Sequence, residues 1–245
     1  MKNLAAIILA AGKGSRMGGK FPKVLAQLKD KALIDYVIET VDKLNPEKKI
    51  AVVGFMKERV IEHIGNDEMD FAEQKKLLGT ADAVRCALPE LDNFDGDVMV
   101  LCGDVPLIPL ETLEKILSYH RLNKMQATVL TVKLEDPAKY GRIVRDDNNM
   151  LEKIVEAADA SEENLQIDEI NSGMYVFTMK ALRDNIDTID AENAQGEFYL
   201  TDIIELLKKN GERVGAYLYE GKPELLFGVN RPDDLENLEE FLNKN

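Results

Sequence analysis

The chain has 245 residues, of which 45% are hydrophobic, enough to bury the core of one large α/β domain. Its formal net charge of −14 argues against nucleic acid or an anionic membrane as a partner, because most of the surface would repel either polyanion. Small-molecule ligands are favoured instead. The N-terminal apolar run is too short for a signal sequence and no stretch reaches transmembrane length, so we expect a cytoplasmic protein.

The first predicted element is an apolar strand from Leu4 to Ala10, which a glycine-rich basic loop follows. No acidic residue occurs before Asp30, although the chain as a whole is acidic. Glycine lets backbone N–H groups approach an anion closely, and basic side chains can neutralise its charge. The pattern predicts a phosphate-bearing ligand, with a flexible basic surface loop as the plainer alternative. The cations of this loop are Lys13, Arg16, Lys20 and Lys23.

Two common phosphate-binding motifs do not fit the spacing of this loop. Gly14 to Lys20 has the glycine and lysine spacing of a P-loop, but Phe21 stands where that motif needs Ser or Thr for magnesium. Gly12-x-Gly14 is followed at the sixth position by Met17 instead of glycine, which breaks the dinucleotide fingerprint. Both of those classes of nucleotide-binding protein are therefore disfavoured.

Helical and strand-like segments alternate after the loop. The predicted order is a helix from Ala32 to Leu44, a strand from Lys49 to Gly54, a helix from Lys57 to Ile64 and a short strand from Asp70 to Ala72. Such alternation predicts a Rossmann-like parallel sheet with helices on both faces, whose ligands bind beyond the carboxyl ends of the strands. The basic loop would lie at that edge.

Two further segments place polar groups at the same edge. Thr80 is a candidate N-cap of a helix that runs to about Leu88, where exposed N–H groups suit ordinary capping, an anion or a base edge. Asp104 follows a predicted strand from Asp97 to Leu101, and a carboxylate in that place is well suited to hold magnesium. The alternative for Asp104 is a turn-forming or capping residue.

The second half of the chain is richer in strands. A hairpin from Tyr140 to Glu156 and a strand from Glu169 to Phe177 follow a helix from Leu110 to Leu122 and a strand from Ala127 to Leu134. We expect an antiparallel extension that forms a second wall over the ligand cleft. The remaining predicted elements are helices at Ala181 to Ile186, Tyr199 to Asn210 and Pro232 to Leu242, and a strand at Val214 to Tyr219.

The histidines and cysteines do not form a recognisable catalytic or metal site. His63 and His120 both fall in or just after predicted helices among polar residues, so we assign both to the solvated helix surface. Cys86 and Cys102 lack metal-ligand spacing and are expected to be buried free thiols, with a disulfide as the alternative.

Eight segments of the chain resemble the sugar nucleotidyltransferase family, most closely the uridyltransferase domain of the bifunctional bacterial enzymes that make UDP-N-acetylglucosamine. The segments cover nearly the whole chain and stand in the family's order, which is far more specific than any one motif. They are LAAGKGSRM with PKVL, Q-x-x-x-LGT, GDVPLI, YGRI, IVE, EINSGMY, NAQGE with FYLTDII, and GVN.

The resemblance implies a reaction and a division of the chain. UMP would pass from UTP to N-acetyl-α-D-glucosamine 1-phosphate by Mg²⁺-dependent in-line attack on the α-phosphorus, giving UDP-N-acetylglucosamine and pyrophosphate. Residues 1–245 would form one nucleotidyltransferase domain with a mostly parallel sheet and an antiparallel extension over the sugar site. Its parts would be a nucleotide-binding part over about 1–135, a sugar-binding part over about 136–230 and a C-terminal helix over 231–245.

The same resemblance implies roles for individual residues. Arg16 and Lys23 would be catalytic, acting on the phosphates of UTP, and Asp104 and Asn230 would hold Mg²⁺. The nucleotide would be bound by Leu9, Ala10, Ala11, Gly12, Gly14, Gln74, Gly79 and Thr80. The sugar 1-phosphate would be bound by Gly103, Gly141, Glu156 and Asn171.

The chain departs from the family pattern in three places. Asp82 stands where the family usually has His, which leaves CTP and dTTP open beside UTP. Ala157 and Ala158 follow Glu156 where a polar residue and Lys are usual, which leaves another hexose 1-phosphate open. The chain ends at Asn245, where the bifunctional enzymes continue into an acetylating β-helix, so we expect no acyltransferase domain. A catalytically silent nucleotide-sugar sensor is the lesser alternative, and the sequence leaves the oligomeric state open.

Overall fold

The computed structural model describes residues 3–14, 17–65 and 69–244. The strands are β1 (Leu4–Ala10), β2 (Gln27–Leu28), β3 (Lys31–Ala32), β4 (Lys48–Val53), β5 (Asp70–Glu73), β6 (Asp97–Cys102), β7 (Ala127–Lys133), β8 (Arg142–Arg145), β9 (Leu151–Val155), β10 (Glu169–Thr178) and β11 (Val214–Tyr219). The helices are α1 (Leu33–Leu44), α2 (Lys57–Ile64), α3 (Thr80–Ala87), α4 (Leu110–Leu122), α5 (Glu162–Leu165), α6 (Met179–Asn185), α7 (Asp202–Lys209) and α8 (Pro232–Lys244).

Nine of the described strands form one sheet, with β1 in its interior. Its neighbours β4 and β6 run parallel to it, and β5 extends the parallel part beyond β4. On the other side, β10 lies between β6 and β7 and runs antiparallel to both, while β11 runs parallel to β7 at the edge. The hairpin of β8 and β9 joins the sheet through β10. The mostly parallel sheet and its antiparallel extension confirm the predicted fold class.

The core has two layers because both faces of the sheet are covered. Alternate residues of β1 pack on opposite faces, so that Ala5 and Ile7 belong to one hydrophobic cluster and Ala6 and Ile8 to the other. The first cluster is closed by α3, α6 and α7, and the second by α1, α2 and α4. Burial on both faces explains why β1 is an almost continuous apolar run.

The strand β10 joins the antiparallel extension to the parallel part of the sheet. Its second half, including Tyr175 to Phe177, is buried between β6 and β7, as an apolar strand with neighbours on both sides must be. The register against β7 shifts between Asn171 and Tyr175, where Gly173 has a φ of +79°. This irregularity lets the first half of β10 also pair with β8, with Ile170 opposite Arg142.

The predicted helices and strands all form, and α2, α4 and β11 begin and end where the sequence predicts. The short elements β2, β3 and α5 were not predicted, because two to four residues give no measurable periodicity. No helix within the described residues is both long and apolar enough to cross a membrane.

The assignment of His120 to the solvated surface is wrong. Its side chain is almost fully buried where α4 packs on the sheet, and its Nδ1 lies 2.9 Å from the hydroxyl oxygen of Thr128. His63 does lie at the surface, with Nε2 2.8 Å from a carboxylate oxygen of Asp35. His120 comes four residues after Ile116 on the buried face of its helix, a pattern that its polar sequence neighbours obscure.

Both cysteines are free, so the disulfide alternative is wrong. They are partly buried, and the thiol of Cys102 donates to the carbonyl oxygen of Gly173 at 3.4 Å. Burial raises the pKa of Cys102 to about 12, with a smaller contribution from Asp104. This thiol therefore stays protonated at neutral pH.

Candidate active site

The basic loop begins directly after β1 at the carboxyl edge of the sheet. Gly14 has a φ of +60°, and a Cβ there would lie 2.8 Å from the Cβ of Lys23. Only glycine therefore allows the loop to fold back against Lys23. Leu9, Ala10 and Ala11 lead into this loop, and Gly12 is exposed within it. Arg16 lies outside the described residues.

The ammonium group of Lys23 joins three distant segments. Its Nζ donates to Oδ2 of Asp104 and, at 3.0 Å, to Oδ1 of Asn230. These partners lie 81 and 207 residues away in sequence. The side chains of Lys23 and Asp104 are only 18% and 14% exposed, so solvent screens this ion pair weakly. We call Lys23, Asp104 and Asn230 the charged cluster.

The surrounding backbone fixes the charged cluster. A Cβ at Gly228 would lie 2.8 Å from Oδ2 of Asp104, so glycine is required for that approach. The amide of Val229 donates to the carbonyl oxygen of Asp104 at 3.0 Å. The amide of Asn230 donates to Oδ2 of Asp234 at 2.7 Å, which ties the cluster to the first turn of α8. The motif GVN pointed to Gly228 and Asn230, whereas no sequence signal singled out Asp234.

A second group of predicted residues lines the edge beyond β4 and β5. Gln74 is buried, and its Nε2 donates to the carbonyl oxygen of Gly79 and to Oδ2 of Asp82, both at 2.9 Å. A Cβ at Gly54 would lie 3.0 Å from the Cβ of Ala11 and 3.1 Å from the carbonyl oxygen of Gln74. Ala11 and Gln74 therefore meet across Gly54, on the side of β1 away from Asp104.

Thr80 does not act as the helix N-cap predicted from the sequence. The cap position belongs to Gly79, and the hydroxyl oxygen of Thr80 instead accepts a hydrogen bond from the amide of Leu200 at 3.0 Å. Gly79 has a φ of +119°, and a Cβ there would lie 2.7 Å from the backbone nitrogen of Phe198. The sequence could not reveal this contact, because Phe198 lies more than a hundred residues further along the chain.

The segments around Gly79 and Phe198 are joined by backbone hydrogen bonds in both directions. The amide of Phe198 donates to the carbonyl oxygen of Leu78 at 2.8 Å, and the amide of Ala81 donates to the carbonyl oxygen of Phe198 at 2.9 Å. We call this contact the loop clasp. It connects the segment after β5 to the segment before α7.

The residues predicted to bind the sugar form a third group. A Cβ at Gly141 would lie 3.2 Å from Oε2 of Glu156, and the amide of Asn171 donates to the carbonyl oxygen of Gly141 at 2.9 Å. The Asn171 side chain is held by Gly173, whose amide donates to Oδ1 at 2.9 Å, and by Tyr175, whose hydroxyl oxygen accepts from Nδ2 at 2.7 Å. Gly103 lies apart from this group, with its amide donating to the carbonyl oxygen of Leu9 at 3.0 Å.

This third group is acidic and carries no cation among its described contacts. Burial raises the pKa of Glu156, and Asp202 and Asp159 raise it further, although a hydrogen bond from the hydroxyl of Thr201 acts in the opposite direction. Burial also raises the pKa of Asp202 to about 6, with help from Asp190 and Glu205. Sequence reasoning missed Thr201 and Asp202 as neighbours of Glu156, although both stand in the quoted motif FYLTDII.

A cavity of about 800 Å³ lies beside the charged cluster, between Tyr140 and α8. Gly228 and Asn230 line it on the side of the cluster. The rings of Tyr140 and Phe227, stacked with their centroids 6.0 Å apart, also line it. The cavity therefore extends from Asn230 of the charged cluster to the C-terminal helix α8.

The arrangement places a cation and two oxygen-bearing side chains at the carboxyl edge of an α/β sheet, the edge where ligands bind in such folds. Two solved structures of UDP-glucose pyrophosphorylase share this fold. The apo enzyme matches with a TM-score of 0.82 at 18% identity, and the enzyme complexed with UDP-glucose matches with a TM-score of 0.78 at 20% identity. Each match covers 98% of both chains.

The nucleotidyl transferase family model matches residues 5–239, so the chain belongs to the nucleotidyl transferase family. Among curated relatives, the bifunctional protein GlmU of Bacillus cytotoxicus (strain DSM 22905) is 48% identical over 230 residues. Those of Bacillus cereus (strain AH187) and Listeria monocytogenes serotype 4a (strain HCC23) are 47% and 44% identical. The matches cover 94% of this chain and 50% of each relative, so the chain spans about half the length of the curated relatives it matches.

Proposed function

We propose that the chain transfers UMP from UTP to N-acetyl-α-D-glucosamine 1-phosphate, releasing pyrophosphate and forming UDP-N-acetylglucosamine. The observation that carries the proposal is the charged cluster, in which Lys23 meets Asp104 and Asn230 at the carboxyl edge of the sheet. Transfer of a nucleotidyl group between phosphates is catalysed mainly by neutralising negative charge. A lysine beside two oxygen atoms that could hold a metal ion suits this task. The identity to bifunctional GlmU proteins and the motifs quoted above support the choice of substrates.

The reaction needs no protein nucleophile. An oxygen of the sugar phosphate would form a bond to the α-phosphorus of UTP while the bond from that phosphorus to the pyrophosphate oxygen breaks. Lys23, together with Arg16, would neutralise the charge that builds up on the leaving pyrophosphate. The role of the protein is then to align the two substrates, which alone removes a large part of the barrier.

The oxygens of Asp104 and Asn230 fit a divalent cation. Both already contact one cationic group, the ammonium of Lys23, so they face a common point. No group of three His, Cys, Asp or Glu suited to a metal occurs within the described ranges. Two protein oxygens are nevertheless typical for Mg²⁺, which keeps water and substrate phosphates as its other ligands. Bound there, Mg²⁺ would polarise the α-phosphate and offset its charge.

The other predicted site residues keep their roles in this proposal. The nucleotide would lie along the basic loop and against Gln74, Gly79 and Thr80, where the loop clasp fixes the backbone. The sugar would lie against Gly103, Gly141, Glu156 and Asn171, a group whose carboxylate and amide suit sugar hydroxyls.

We further propose that the chain works as one nucleotidyltransferase unit, with a nucleotide-binding part over about 1–135, a sugar-binding part over about 136–230 and a terminal helix. The continuous sheet through both parts supports this division of labour within one unit. The two free thiols support a cytoplasmic setting.

Pyrophosphate release from Mg-UTP and N-acetylglucosamine 1-phosphate tests the proposal. CTP and dTTP replace UTP in parallel reactions, and glucose 1-phosphate and glucosamine 1-phosphate replace the acceptor. We expect release that stops when EDTA removes the metal, with UTP and N-acetylglucosamine 1-phosphate as the preferred pair. Preference for another pair would overturn the substrate assignment and keep the reaction. No release with any pair would overturn the transferase and favour a sensor of nucleotide sugars.

A further inference from the structure

We propose that Asp82 is a positioning residue that selects the base edge read by this site. By holding the amide nitrogen of Gln74, it would leave only the carbonyl oxygen of that amide for the nucleotide. The site would then accept the imide edge of uracil or thymine and reject cytosine. This inference rests on the proposed function, because it assigns a base preference to the same nucleotide site.

The orientation of the Gln74 amide follows from its two partners. Nε2 lies 2.9 Å from the carbonyl oxygen of Gly79 and 2.9 Å from Oδ2 of Asp82. A carbonyl and a carboxylate only accept hydrogen bonds, so the nitrogen, which carries both amide hydrogens, must face them. The reverse orientation would place the amide oxygen against two acceptors, one of them charged. Gln74 is only 4% exposed, so water cannot replace the lost hydrogen bonds.

The carboxylate of Asp82 is itself held in place. Its Oδ1 lies 3.5 Å from a guanidinium nitrogen of Arg85, one helical turn away on α3. Arg85 is anchored by the carbonyl oxygen of Ile186 at 2.8 Å and by the face of the Phe198 ring, whose centroid lies 5.1 Å from its Cζ. The Asp82 side chain is 15% exposed, which keeps the bond to Gln74 partly shielded from water.

The hydrogen-bonding groups of Gln74 and Gly79 that remain available to a ligand are one acceptor and one donor. Neither Oε1 of Gln74 nor the backbone N–H of Gly79 has a hydrogen-bond partner among the described residues. Uracil and thymine present an N3–H donor beside a carbonyl acceptor, which complements this pattern. Cytosine presents an N3 acceptor beside an amino donor, which opposes it at both points. A buried mismatch of this kind discriminates strongly because polar groups are left unpaired.

Isothermal titration calorimetry of UTP and CTP binding tests the inference without requiring turnover. We expect the wild-type protein to prefer UTP, and Asp82→Ala to reduce the ratio of the two dissociation constants by about tenfold, as expected for loss of a charged hydrogen bond. Asp82→Asn keeps an acceptor oxygen and should retain most of the preference. Asp184→Ala is the matched control, because it removes an exposed aspartate that pairs with Lys180 on α6. It should leave the ratio of the two dissociation constants unchanged.

A double-mutant cycle distinguishes positioning from a general structural effect. In a Gln74→Ala background, Asp82→Ala should no longer change the ratio of UTP to CTP affinity, because the group it positions is gone. Equal binding of UTP and CTP by the wild type, or an unchanged ratio in Asp82→Ala with a native melting transition, would overturn the inference. A protein that shows the expected ratios but releases no pyrophosphate would instead contradict the proposed reaction alone.

Discussion

Strand β6 carries an aspartate at each end, and their surroundings differ. Asp97, its first residue, contacts His120 and Arg121, which are adjacent on α4, with Arg121 Nε 2.6 Å from Oδ2. Asp104, two residues beyond the strand, contacts Lys23 and Asn230, which come from two separate loops. Parallel strands collect ligands at their carboxyl ends, so Asp104, unlike Asp97, stands at the edge where the proposed substrates would bind.

The comparison separates a stabilising ion pair from a functional one. Burial acts to raise the pKa of Asp97, but its contact with His120 and its hydrogen bond from Arg121 outweigh burial and hold that pKa below its ordinary value. The partners of Asp97 have no other proposed task, whereas Lys23 is the group that substrate phosphates would engage. Removing a charge should therefore reduce stability at one end of the strand and activity at the other.

The largest expected effect is that of Lys23→Ala on turnover. Loss of the ammonium group should lower kcat/KM by about a thousandfold, the upper range for removing one preorganised electrostatic group. The variant should still fold but melt at a lower temperature, because the mostly buried Asp104 loses its cation, so kcat/KM is measured well below the melting transition. Lys115→Ala, which removes an exposed lysine paired with Glu111 on α4, is the matched control and should keep full activity. A Lys23→Ala protein with near-normal kcat/KM would refute the role of the cluster.

Asp104→Asn should have the next largest effect. It keeps the shape of the side chain but removes its charge, so kcat/KM should fall by about a hundredfold. The magnesium concentration for half-maximal rate should rise, which a titration of initial rate against Mg²⁺ measures. If the magnesium dependence did not move, Asp104 would hold Lys23 and no metal.

Asp97→Asn should affect stability and leave turnover per folded molecule unchanged. The free energy of unfolding should fall by about 2 kcal/mol at pH 7, because His120 and Arg121 lose a partly buried anion. Because the pKa of Asp97 is lower in the folded state, its carboxylate stabilises the fold at pH values above its ordinary pKa of 3.8. This stabilisation disappears as the pH falls through the lower folded-state pKa. Urea unfolding of wild type and variant from pH 7 to pH 2 should therefore converge.

The smallest effect is expected at Asp202, a carboxylate on the cleft side with no cation among its described contacts. The pKa of Asp202 is raised to about 6 in the folded state. Its contribution to folding stability is therefore fully present below its ordinary pKa of 3.8 and is lost as the pH rises through 6. Relative to wild type, Asp202→Asn should gain about 1 kcal/mol of unfolding free energy between pH 4 and pH 7. Parallel urea titrations at the two pH values measure this gain, and a constant difference would contradict it.

The sequence predicts most of the fold because local periodicity records which face of each element is buried. The alternation from β1 to β5 is visible as apolar runs and helical spacing, and the parallel sheet follows from it. The central place of β10 is not visible in this way. Its apolar half has the same pattern at the edge or in the middle of a sheet, and only the pairing with β6 decides between them.

Motifs predicted the parts of the site that lie within one segment, and missed the contacts between segments. Lys23, Asp104 and Asn230 belong to three separate motifs. Their contact depends on how the chain folds, because Asp104 and Asn230 lie 81 and 207 residues from Lys23 in sequence. Thr80 was misassigned as a cap because its real partner, Leu200, comes from a distant part of the chain. The buried bond of His120 to Thr128 is likewise a product of helix packing.

The loop clasp has a consequence for motion. Three hydrogen bonds join the segments around Gly79 and Phe198, so neither segment can leave the body of the protein without breaking all three. The amides of Ala81, Phe198 and Leu200 should then exchange with deuterium at a common rate, as one cooperative opening unit. A nucleotide bound against the segment around Gly79 should therefore also slow exchange at Phe198 and Leu200. Without a nucleotide, the two segments should open together.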